Sequence, residues 1–273
     1  MSRLLITGAA GNMGRLLRPL LRRDGRILRL LDIAPIPNGI EVDQGKDEIV
    51  AADLTDAGAV AAACDGVDAI LHLGGISVEA PFDDLLEANV RGTANLLEGA
   101  RAAGVGRVIL ASSNHAAGFY HRDDVPPGSD GLPDNLPPRP DTFYGWSKAA
   151  IESLGALYHY RFGMDVIALR IGTCFPEPPR ASRILSTWLS PADAARFIEA
   201  CLAAPGPGFQ VLWAVSDNTR RWWSLAGARA LGYEPQDDAE EFAERIADAN
   251  GNDPVNDFVG GVFCIAPLGE SMR

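Results

Sequence analysis

The chain has 273 residues, 47% of them hydrophobic, which is enough to bury one large α/β core or two smaller ones. Its net charge of −12 argues against nucleic acid or an anionic membrane surface as a partner, and no run of about 18 apolar residues could span a membrane. Four cysteines lie far apart without a Cys-x-x-Cys or Cys/His cluster, so we expect reduced thiols and no metal site. A strand-like run starts at residue 3, which leaves no room for a signal peptide and favours a cytoplasmic protein.

Strand-like and helix-like segments alternate along the chain. Short apolar runs predict strands over residues 3–7, 27–32, 48–52, 69–73, 107–112, 165–171 and 209–214. Longer periodic segments predict helices over residues 12–23, 82–103, 191–203, 222–231 and 239–249, and a further helix that carries Tyr144 and ends near residue 162. This alternation predicts an α/β fold of the doubly wound kind, with a parallel sheet between two layers of helices.

The alternation of strand-like and helix-like segments becomes irregular after residue 171, around Pro176, Pro178 and Pro179. The segments that follow are too short and interrupted to form a second independent core. We therefore predict two portions packed as one structural unit. Residues 1–172 form the nucleotide-binding core, and residues 173–273 form a small lobe that covers the substrate.

Three glycines lie between the first predicted strand and the first turn of the first predicted helix, namely Gly8, Gly11 and Gly14. In a Rossmann-type fold, the first glycine permits a tight turn, the second lets the backbone approach a pyrophosphate, and the third lets the helix pack close to the strand. Asn12 and Met13 lie between them, at the start of the helix. The spacing Gly-x-x-Gly-x-x-Gly departs from Gly-x-Gly-x-x-Gly, and an ordinary strand–helix turn is the alternative.

Asp32 ends the second predicted strand, about 20 residues after the glycines, and Ile33 follows it. A carboxylate at this place can accept hydrogen bonds from the adenosine ribose hydroxyls, and it would repel a 2′-phosphate. The position therefore favours NAD over NADP as the cofactor. A solvated acid at the end of a strand is the alternative.

Two more strand ends suit a dinucleotide. Asp53 and Leu54 follow the third predicted strand and could bracket the adenine, although a helix cap is the alternative for Asp53. Leu73, Gly74 and Gly75 follow the fourth predicted strand, where a backbone with few side chains would lie against the cofactor. A simple turn is the alternative for the two glycines.

Tyr144 and Lys148 are four residues apart in a predicted helix, so they share one face of it. The chain has only two lysines among its basic residues, which suggests that this ammonium has a role that arginine cannot fill. A cation beside a tyrosine favours the phenolate and lowers the tyrosine pKa. Tyr144 is therefore a candidate general base. An aromatic–cation packing pair is the alternative.

These motifs, together with residues 89–97, resemble the extended short-chain dehydrogenase/reductase superfamily, which includes the NAD-dependent epimerases and dehydratases. Longer strings over residues 74–79, 111–115, 170–174 and 185–188, and the pair Trp222-Trp223, resemble the uronate dehydrogenases more narrowly. The resemblance runs from residue 3 to about residue 263, which is nearly the whole chain.

The resemblance implies a catalytic group. Ser113 would hydrogen-bond the reacting oxygen, a role for which the sequence alone does not separate it from Ser112. Tyr144 would take the hydroxyl proton, and Lys148 would lower the tyrosine pKa and bind the nicotinamide ribose. Asn89 would help to hold a water or the backbone of the site. The implied cofactor contacts are the residues named above at the glycine turn and at the ends of the second, third and fourth strands. Asn89, Tyr144, Lys148 and Ile171 complete this set.

The resemblance also implies a set of residues that contact a sugar acid, namely Ser77, Ser113, Asn114, His115, Thr173 and Arg183. Arg183 would pair with the carboxylate, because its planar fork of donors matches two oxygens. The proline run before it is one residue longer than expected, so Arg180 competes for this role. Thr173 stands where a serine is expected, and it keeps the hydroxyl.

The function that the resemblance implies is NAD-dependent oxidation of D-glucuronate or D-galacturonate at C1. The product would be an aldarolactone that hydrolyses to the aldarate, and the enzyme is expected to be a homo-oligomer. A nucleotide-sugar epimerase or dehydratase is the alternative enzyme, although the short C-terminal portion disfavours it. A non-catalytic regulator that binds NAD is the alternative of another class, and the presence of Tyr144, Lys148 and Ser113 disfavours it.

Overall fold

The structure, a computed structural model, describes residues 2–36, 47–246 and 253–272. Its strands in chain order are β1 (Ser2–Thr7), β2 (Arg26–Asp32), β3 (Glu48–Ala51), β4 (Ala69–His72), β5 (Arg107–Ser113), β6 (Asp165–Ile171), β7 (Thr173–Cys174), β8 (Trp188–Leu189) and β9 (Phe209–Ala214). Seven of them form one parallel sheet in the order β3-β2-β1-β4-β5-β6-β9. The short strands β7 and β8 pair separately. The predicted doubly wound parallel sheet is confirmed.

Helices cover both faces of the sheet. They are α1 (Asn12–Leu20), α2 (Ala57–Cys64), α3 (Phe82–Leu85), α4 (Gly92–Ala102), α5 (Phe143–Phe162), α6 (Ile184–Thr187), α7 (Pro191–Ala203), α8 (Ala226–Ala230) and α9 (Ala243–Ile246). A π-helical turn, Leu86–Arg91, joins α3 to α4. Short 3₁₀ helices lie at Asn114–Ala117, Arg122–Asp124, Ala239–Phe242, Pro254–Asp257 and Gly261–Ile265.

The sheet is buried on both faces, and this is why its strands read as continuous apolar runs. In β1, Leu4 and Ile6 belong to the core on one face, and Leu5 belongs to the core on the other. Successive side chains of a strand point to opposite faces, so each apolar position buries against a different layer of helices. Each such side chain contributes about 1.5–3 kcal/mol when it is fully buried. The cores hold the carboxyl ends of the strands in a fixed arrangement.

The C-terminal portion contributes to the main sheet as well as to the region beyond it. Strand β9 pairs in parallel with β6, with Ala214 opposite Ile171, and α7 packs against α1. The bounds predicted for residues 165–171, 191–203 and 209–214 agree with β6, α7 and β9. A division of the chain at residue 172 therefore separates two neighbouring strands of one sheet.

Three predicted helices differ from the structure. The helix predicted for residues 12–23 ends at Leu20, since the next residue leaves the helical conformation. The helix predicted for residues 82–103 is interrupted by the π-helical turn. The helix predicted for residues 222–231 is confined to α8, because the backbone oxygen of Trp222 accepts a hydrogen bond from the Leu132 nitrogen at 2.8 Å, and Trp223 forms a β-bridge with Leu132. Tertiary pairing outweighs helical periodicity there.

The helix predicted for residues 239–249 begins as the 3₁₀ helix Ala239–Phe242 and continues as α9. Its predicted residues 247–249 lie outside the described residues.

Candidate active site

A cleft of about 610 Å³ lies at the carboxyl ends of β1, β2, β4, β5 and β6. Open α/β sheets bind their ligands at this edge. The cleft is lined by most of the predicted cofactor residues, namely Gly8, Gly11, Asn12, Met13, Gly14, Asp32, Ile33, Asp53, Leu54, Leu73, Gly74, Gly75, Tyr144, Lys148 and Ile171. The predicted substrate residues Ser77, Ser113 and Thr173 line it too.

The turn between β1 and α1 requires glycine. Gly8 has a φ of +67°, and a Cβ on it would lie 2.7 Å from the Gly74 nitrogen. A Cβ on Gly14 would overlap the backbone of the same turn. The helix α1 begins at Asn12, and no side chain caps it from Gly11, so its first turn presents N–H groups and the positive end of the helix dipole. This turn fits the pyrophosphate of NAD, which needs a close backbone and N–H donors.

Asp32 holds the glycine turn in place. One of its carboxylate oxygens accepts a hydrogen bond from the Ala10 nitrogen at 2.8 Å, and the other accepts from the Ala34 nitrogen at 2.8 Å. Each carboxylate oxygen can accept a second hydrogen bond. Asp32 therefore keeps acceptor capacity toward the cleft, where ribose hydroxyls of NAD would lie. Ile33 is exposed beside it.

Asp53 and Leu54 form a turn at the rim of the cleft. Asp53 accepts a hydrogen bond from the Thr55 nitrogen at 2.8 Å, whereas the cap of α2 is Asp56. The alternative interpretation of Asp53 as the helix cap is therefore wrong. Leu54 fills the space beside Gly74, where a Cβ would lie 2.7 Å from the leucine side chain. The absence of a side chain at Gly74 thus lets the two loops meet.

Tyr144, Lys148 and Ser113 come together at the floor of the cleft. Tyr144 lies in the first turn of α5, and its hydroxyl faces the side chain of Ser113, which ends β5 and acts to lower the tyrosine pKa. Lys148 lies one turn further along α5, with its Nζ 5.6 Å from the centre of the tyrosine ring. Its Nζ donates a hydrogen bond to the Ala111 carbonyl at 2.8 Å. The sequence prediction that these three side chains share one site is consistent with this geometry.

The pKa values of Tyr144 and Lys148 differ from those expected from the sequence. Burial raises the pKa of Tyr144 to about 12, although the hydrogen bond from Ser113 lowers it. Burial lowers the pKa of Lys148 to about 8. The expected lowering of the tyrosine pKa by Lys148 is therefore wrong for the protein alone. The loss of water around a buried phenolate outweighs an ammonium that lies against the ring.

Asn89 lies behind the cleft and does not line it. It belongs to the π-helical turn, and its Oδ1 accepts a hydrogen bond from the Ile76 nitrogen at 2.7 Å. Its Nδ2 donates to the Ile76 carbonyl at 3.0 Å and to the Ser147 hydroxyl at 2.8 Å. A Cβ on Gly75 would overlap the Asn89 side chain. Of the two roles that the resemblance implies for Asn89, the structure favours holding the backbone of the site.

His115 and Asn114 follow Ser113 in a 3₁₀ helix, where Asn114 is buried and the His115 side chain is 12% exposed. The ring of His115 lies 5.7 Å from that of Tyr144 and stacks on Phe263 with 3.9 Å between ring centres. Its Nδ1 lies 2.6 Å from a carboxylate oxygen of Asp141. Burial lowers the pKa of His115, and Asp141 opposes this shift.

Arg183 and Asn114 both donate hydrogen bonds to the backbone carbonyl of Val259, Asn114 at 2.9 Å. Burial lowers the pKa of Arg183 to about 10. Within residues 2–36, 47–246 and 253–272, no carboxylate lies within ion-pair distance of Arg183, and its Nε has no hydrogen-bond partner. Arg180 is exposed. Arg183 is therefore the better placed of the two to receive a carboxylate from outside the protein.

The two other predicted substrate residues lie at the cleft itself. Ser77 is exposed in the loop after β4. Thr173 begins β7, and its Oγ1 lies 3.2 Å from Oγ1 of Thr187. Both residues line the cleft and carry a hydroxyl group.

Across the described part of the chain, no group of three or more histidine, cysteine, aspartate or glutamate side chains is placed to hold a metal ion. In the same residues, no helix combines the length and the apolar character needed to cross a bilayer.

Comparison with known proteins identifies the family. Residues 4–207 match the NAD dependent epimerase/dehydratase family. The chain belongs to this family. It is 43% identical over 272 residues to uronate dehydrogenase from Agrobacterium fabrum, with 98% of each chain covered. It is 42% identical over 274 residues to uronate dehydrogenase from Pseudomonas syringae pv. tomato, with 98% of this chain and 96% of the relative covered.

A solved structure supports the same assignment. A mutant of uronate dehydrogenase from Agrobacterium tumefaciens complexed with NAD matches the fold with a TM-score of 0.88 at 42% identity, covering 98% of each chain. The predicted superfamily, the NAD cofactor and the NAD-dependent oxidoreductase class are confirmed.

Three residues of this epimerase/dehydratase-family site were missed by the sequence analysis. Glu79 accepts a hydrogen bond from the Tyr144 nitrogen at 2.8 Å, Asp141 pairs with His115, and Phe263 stacks on that histidine. Asp141 precedes a helix and resembles a capping residue, and Phe263 lies in a segment for which the sequence predicted no helix or strand. Neither carries a local signal that would have distinguished it from a structural residue. Glu79 ends one of the strings that resemble uronate dehydrogenases, but the string assigned it no role.

Proposed function

We propose that this protein is a uronate dehydrogenase that oxidises C1 of cyclic D-glucuronate or D-galacturonate with NAD. The product is an aldarolactone, which then hydrolyses to the aldarate. The observation that carries the proposal is Arg183, a partly buried residue near His115 that forms no ion pair with a carboxylate of the described residues and whose buried Nε has no hydrogen-bond partner among them. A cation of this kind calls for an anionic ligand.

Two hydroxyl groups of the site act on the C1 hydroxyl of the sugar. Ser113 and Tyr144 both line the cleft, and the Ser113 hydroxyl lies near enough to lower the Tyr144 pKa, so both can reach one substrate oxygen. Tyr144 takes the proton of the C1 hydroxyl while the C1–H bond breaks with its electron pair and the C1–O bond becomes a carbonyl. NAD, when bound, supplies the hydride acceptor and a positive charge at the site.

Because the tyrosine pKa is raised, Tyr144 needs a cation nearby to act as a base at neutral pH. A tyrosine with a pKa near 12 remains a phenol at neutral pH. Lys148 is held by the Ala111 carbonyl and stays beside the tyrosine ring. When NAD is bound, the Lys148 ammonium would bind a ribose hydroxyl of the cofactor. The same positive charge would favour the phenolate of Tyr144.

Arg183 fixes the other end of the substrate. A guanidinium offers several N–H donors in one plane, and a carboxylate accepts two of them at once. In the protein alone, the Val259 carbonyl takes hydrogen bonds from both Arg183 and Asn114, while Nε of Arg183 has no partner in the described residues. A sugar carboxylate provides the second acceptor that this cluster lacks.

The direct experiment is a substrate panel with the wild-type enzyme and NAD, followed by the absorbance of NADH. The panel contains D-glucuronate, D-galacturonate, glucose, galactose and UDP-glucose. We expect NADH from the two uronates, and kcat/KM for the neutral aldoses lower by at least about 100-fold, the effect of losing one buried ion pair. Equal efficiency with the neutral aldoses would contradict the role of the carboxylate.

We expect a cytoplasmic location for the protein. All four cysteines are free thiols and three of them are buried, which suits a reducing compartment such as the cytoplasm. We expect a homo-oligomer, and light scattering of the purified protein would measure its mass. A monomer at micromolar concentration would contradict this expectation.

A further inference from the structure

The buried carboxylate of Asp141 is a feature that the catalytic scheme does not yet use. Its side chain is 0% exposed. One oxygen accepts a hydrogen bond from the Thr142 hydroxyl at 2.9 Å, and the other lies 2.6 Å from Nδ1 of His115. Taking an ionised carboxylate out of water is unfavourable unless its oxygens are paired. Asp141 therefore depends on these two partners.

Asp141 is not needed to cap α5. The capping residue of that helix is Thr142, whose side chain accepts a hydrogen bond from the Gly145 nitrogen at 3.1 Å. The position of the carboxylate calls for another explanation.

Three glycines from separate segments make room for the Asp141 carboxylate. A Cβ on Gly118 or on Gly260 would overlap the oxygen that faces His115. A Cβ on Gly145 would lie 2.8 Å from the other oxygen. The backbone thus approaches this carboxylate from the loop after β5, from α5 and from the C-terminal segment. The oxygen that pairs with His115 is enclosed and has no freedom to turn elsewhere.

The pairing determines which nitrogen of His115 carries the proton. A carboxylate only accepts hydrogen bonds, so Nδ1 of His115 must be the donor. In the neutral ring, Nε2 then has a free lone pair, and it has no hydrogen-bond partner among the described residues. Burial favours the neutral ring, Arg183 does so as well, and the charges of Asp141 and Glu79 oppose this. The ring is held between Phe263 and Tyr144.

We propose that Asp141 is a positioning residue that fixes His115 in the neutral Nδ1–H tautomer, so that Nε2 accepts a hydrogen bond from a ring hydroxyl of the sugar acid. The proposal rests on the proposed function, because the hydroxyl belongs to the substrate named there. It deepens that function by making one nitrogen of the site a dedicated acceptor. A ligand without a hydroxyl donor at this place would leave the lone pair unpaired.

The tautomer can be measured without any substrate. Long-range ¹H–¹⁵N NMR spectra distinguish the two neutral tautomers and the imidazolium, and the chain has only four histidines. Comparison with His115→Gln assigns the signal. We expect the wild-type ring to be the Nδ1–H tautomer at pH 7. An Nε2–H tautomer or an imidazolium would overturn the proposal.

Asp141→Asn tests whether the carboxylate is the cause. Asparagine has one acceptor oxygen, and both the Thr142 hydroxyl and Nδ1 of His115 need one. We expect a measurable population of the Nε2–H tautomer in this variant. A ring that remains entirely in the Nδ1–H form would show that something other than Asp141 fixes it.

A double-mutant cycle separates positioning from a merely structural role. For D-glucuronate or D-galacturonate, we expect Asp141→Asn to lower kcat/KM about 10–100-fold, as loss of an orienting partner of a functional histidine does in other sites. In a His115→Ala background, the same change should lower it by less than about 3-fold, because its target is gone. An equal loss in both backgrounds would overturn the proposal.

Two controls complete the experiment. Asp123 is another aspartate near a histidine, but its side chain is 92% exposed, so Asp123→Asn should leave kcat/KM unchanged. The Kd of NAD should be the same in wild type and in Asp141→Asn. If the wild type oxidises no uronate, the proposed function fails, whereas the NMR result still decides whether Asp141 sets the tautomer.

Discussion

The carboxylate of Glu79 accepts a hydrogen bond from the backbone nitrogen of Tyr144 at 2.8 Å. Its other oxygen accepts one from the Gly269 nitrogen at 2.8 Å, and the residue is fully buried. Glu79 therefore joins the start of the catalytic helix to the C-terminal segment. That segment also provides Phe263 and the Val259 carbonyl, so one buried acid stabilises both sides of the candidate site.

Glu79→Gln should destabilise the fold. The carboxylate accepts from the backbone N–H groups of Phe143, Tyr144 and Gly269 with its two oxygens, whereas the amide offers one acceptor oxygen and its NH₂ group would face a donor. We expect the free energy of unfolding, measured with urea, to fall by about 1–3 kcal/mol. Glu98→Gln is the matched control, since its side chain is 53% exposed in a surface ion pair and its change should stay within about 0.5 kcal/mol. An equal effect of the two substitutions would show that Glu79 does not hold the helix.

Tyr144→Phe should abolish turnover and leave the Kd of NAD near that of the wild type. The substitution removes the proton acceptor and keeps the ring that lies beside His115 and Phe263. A loss of at least about 100-fold in kcat is expected for a general base. Lys148→Arg should be severely impaired too, because a planar guanidinium does not fit the place of the ammonium beside Ala111. A near-normal kcat in Tyr144→Phe would remove this mechanism.

Lys148 should give the ligand-free protein a characteristic pH dependence. Burial lowers the lysine pKa from 10.5 to about 8, so the unfolded chain binds more protons than the folded protein between these values. The free energy of unfolding should therefore rise with pH across that window, by up to about 3 kcal/mol. The comparison is with Lys148→Met, which lacks the titrating group. If the wild type and this variant show the same dependence from pH 8 to 10.5, the lysine is not buried as described.

Arg183→Ala should lower kcat/KM for uronates, which corresponds to a loss of about 2–5 kcal/mol of transition-state stabilisation. This is the usual range for removing one partner of a desolvated ion pair. Activity on glucose and galactose, already poor, should change little because these sugars have no carboxylate. Arg180→Ala is the matched control, since Arg180 is an exposed arginine in the same segment. A large loss in Arg180→Ala instead would move the carboxylate site to that residue.

The sheet and the cofactor cleft were predictable because their signals are local. Strand β6 starts with a polar residue and is apolar apart from Arg170, and its predicted bounds agree with the structure. The ends of parallel strands meet at one edge of a sheet, so Gly8, Asp32 and Gly74 had to approach one another once each strand was placed. All three line the cleft.

The substrate side of the site was not predictable in the same way, because its contacts join distant parts of the chain. Asp141 reaches His115 across 26 residues, and Glu79 reaches Gly269 across 190. The tyrosine pKa also depends on burial, which a neighbouring lysine in the sequence does not reveal. Asn89 was expected beside the cofactor, and its two hydrogen bonds to Ile76 place it behind the loop instead.

The most direct test of the account is to follow the reaction at C1. The wild-type enzyme is mixed with NAD and D-galacturonate, and NMR spectra are recorded from the start. The account predicts a lactone that appears before the open-chain dicarboxylate. A methyl glycoside of the same uronate has no C1 hydroxyl proton for Tyr144 to take, so it should give no NADH, and because it keeps its carboxylate it should compete with the substrate. Oxidation of the methyl glycoside would contradict the account and place the chemistry at another ring hydroxyl.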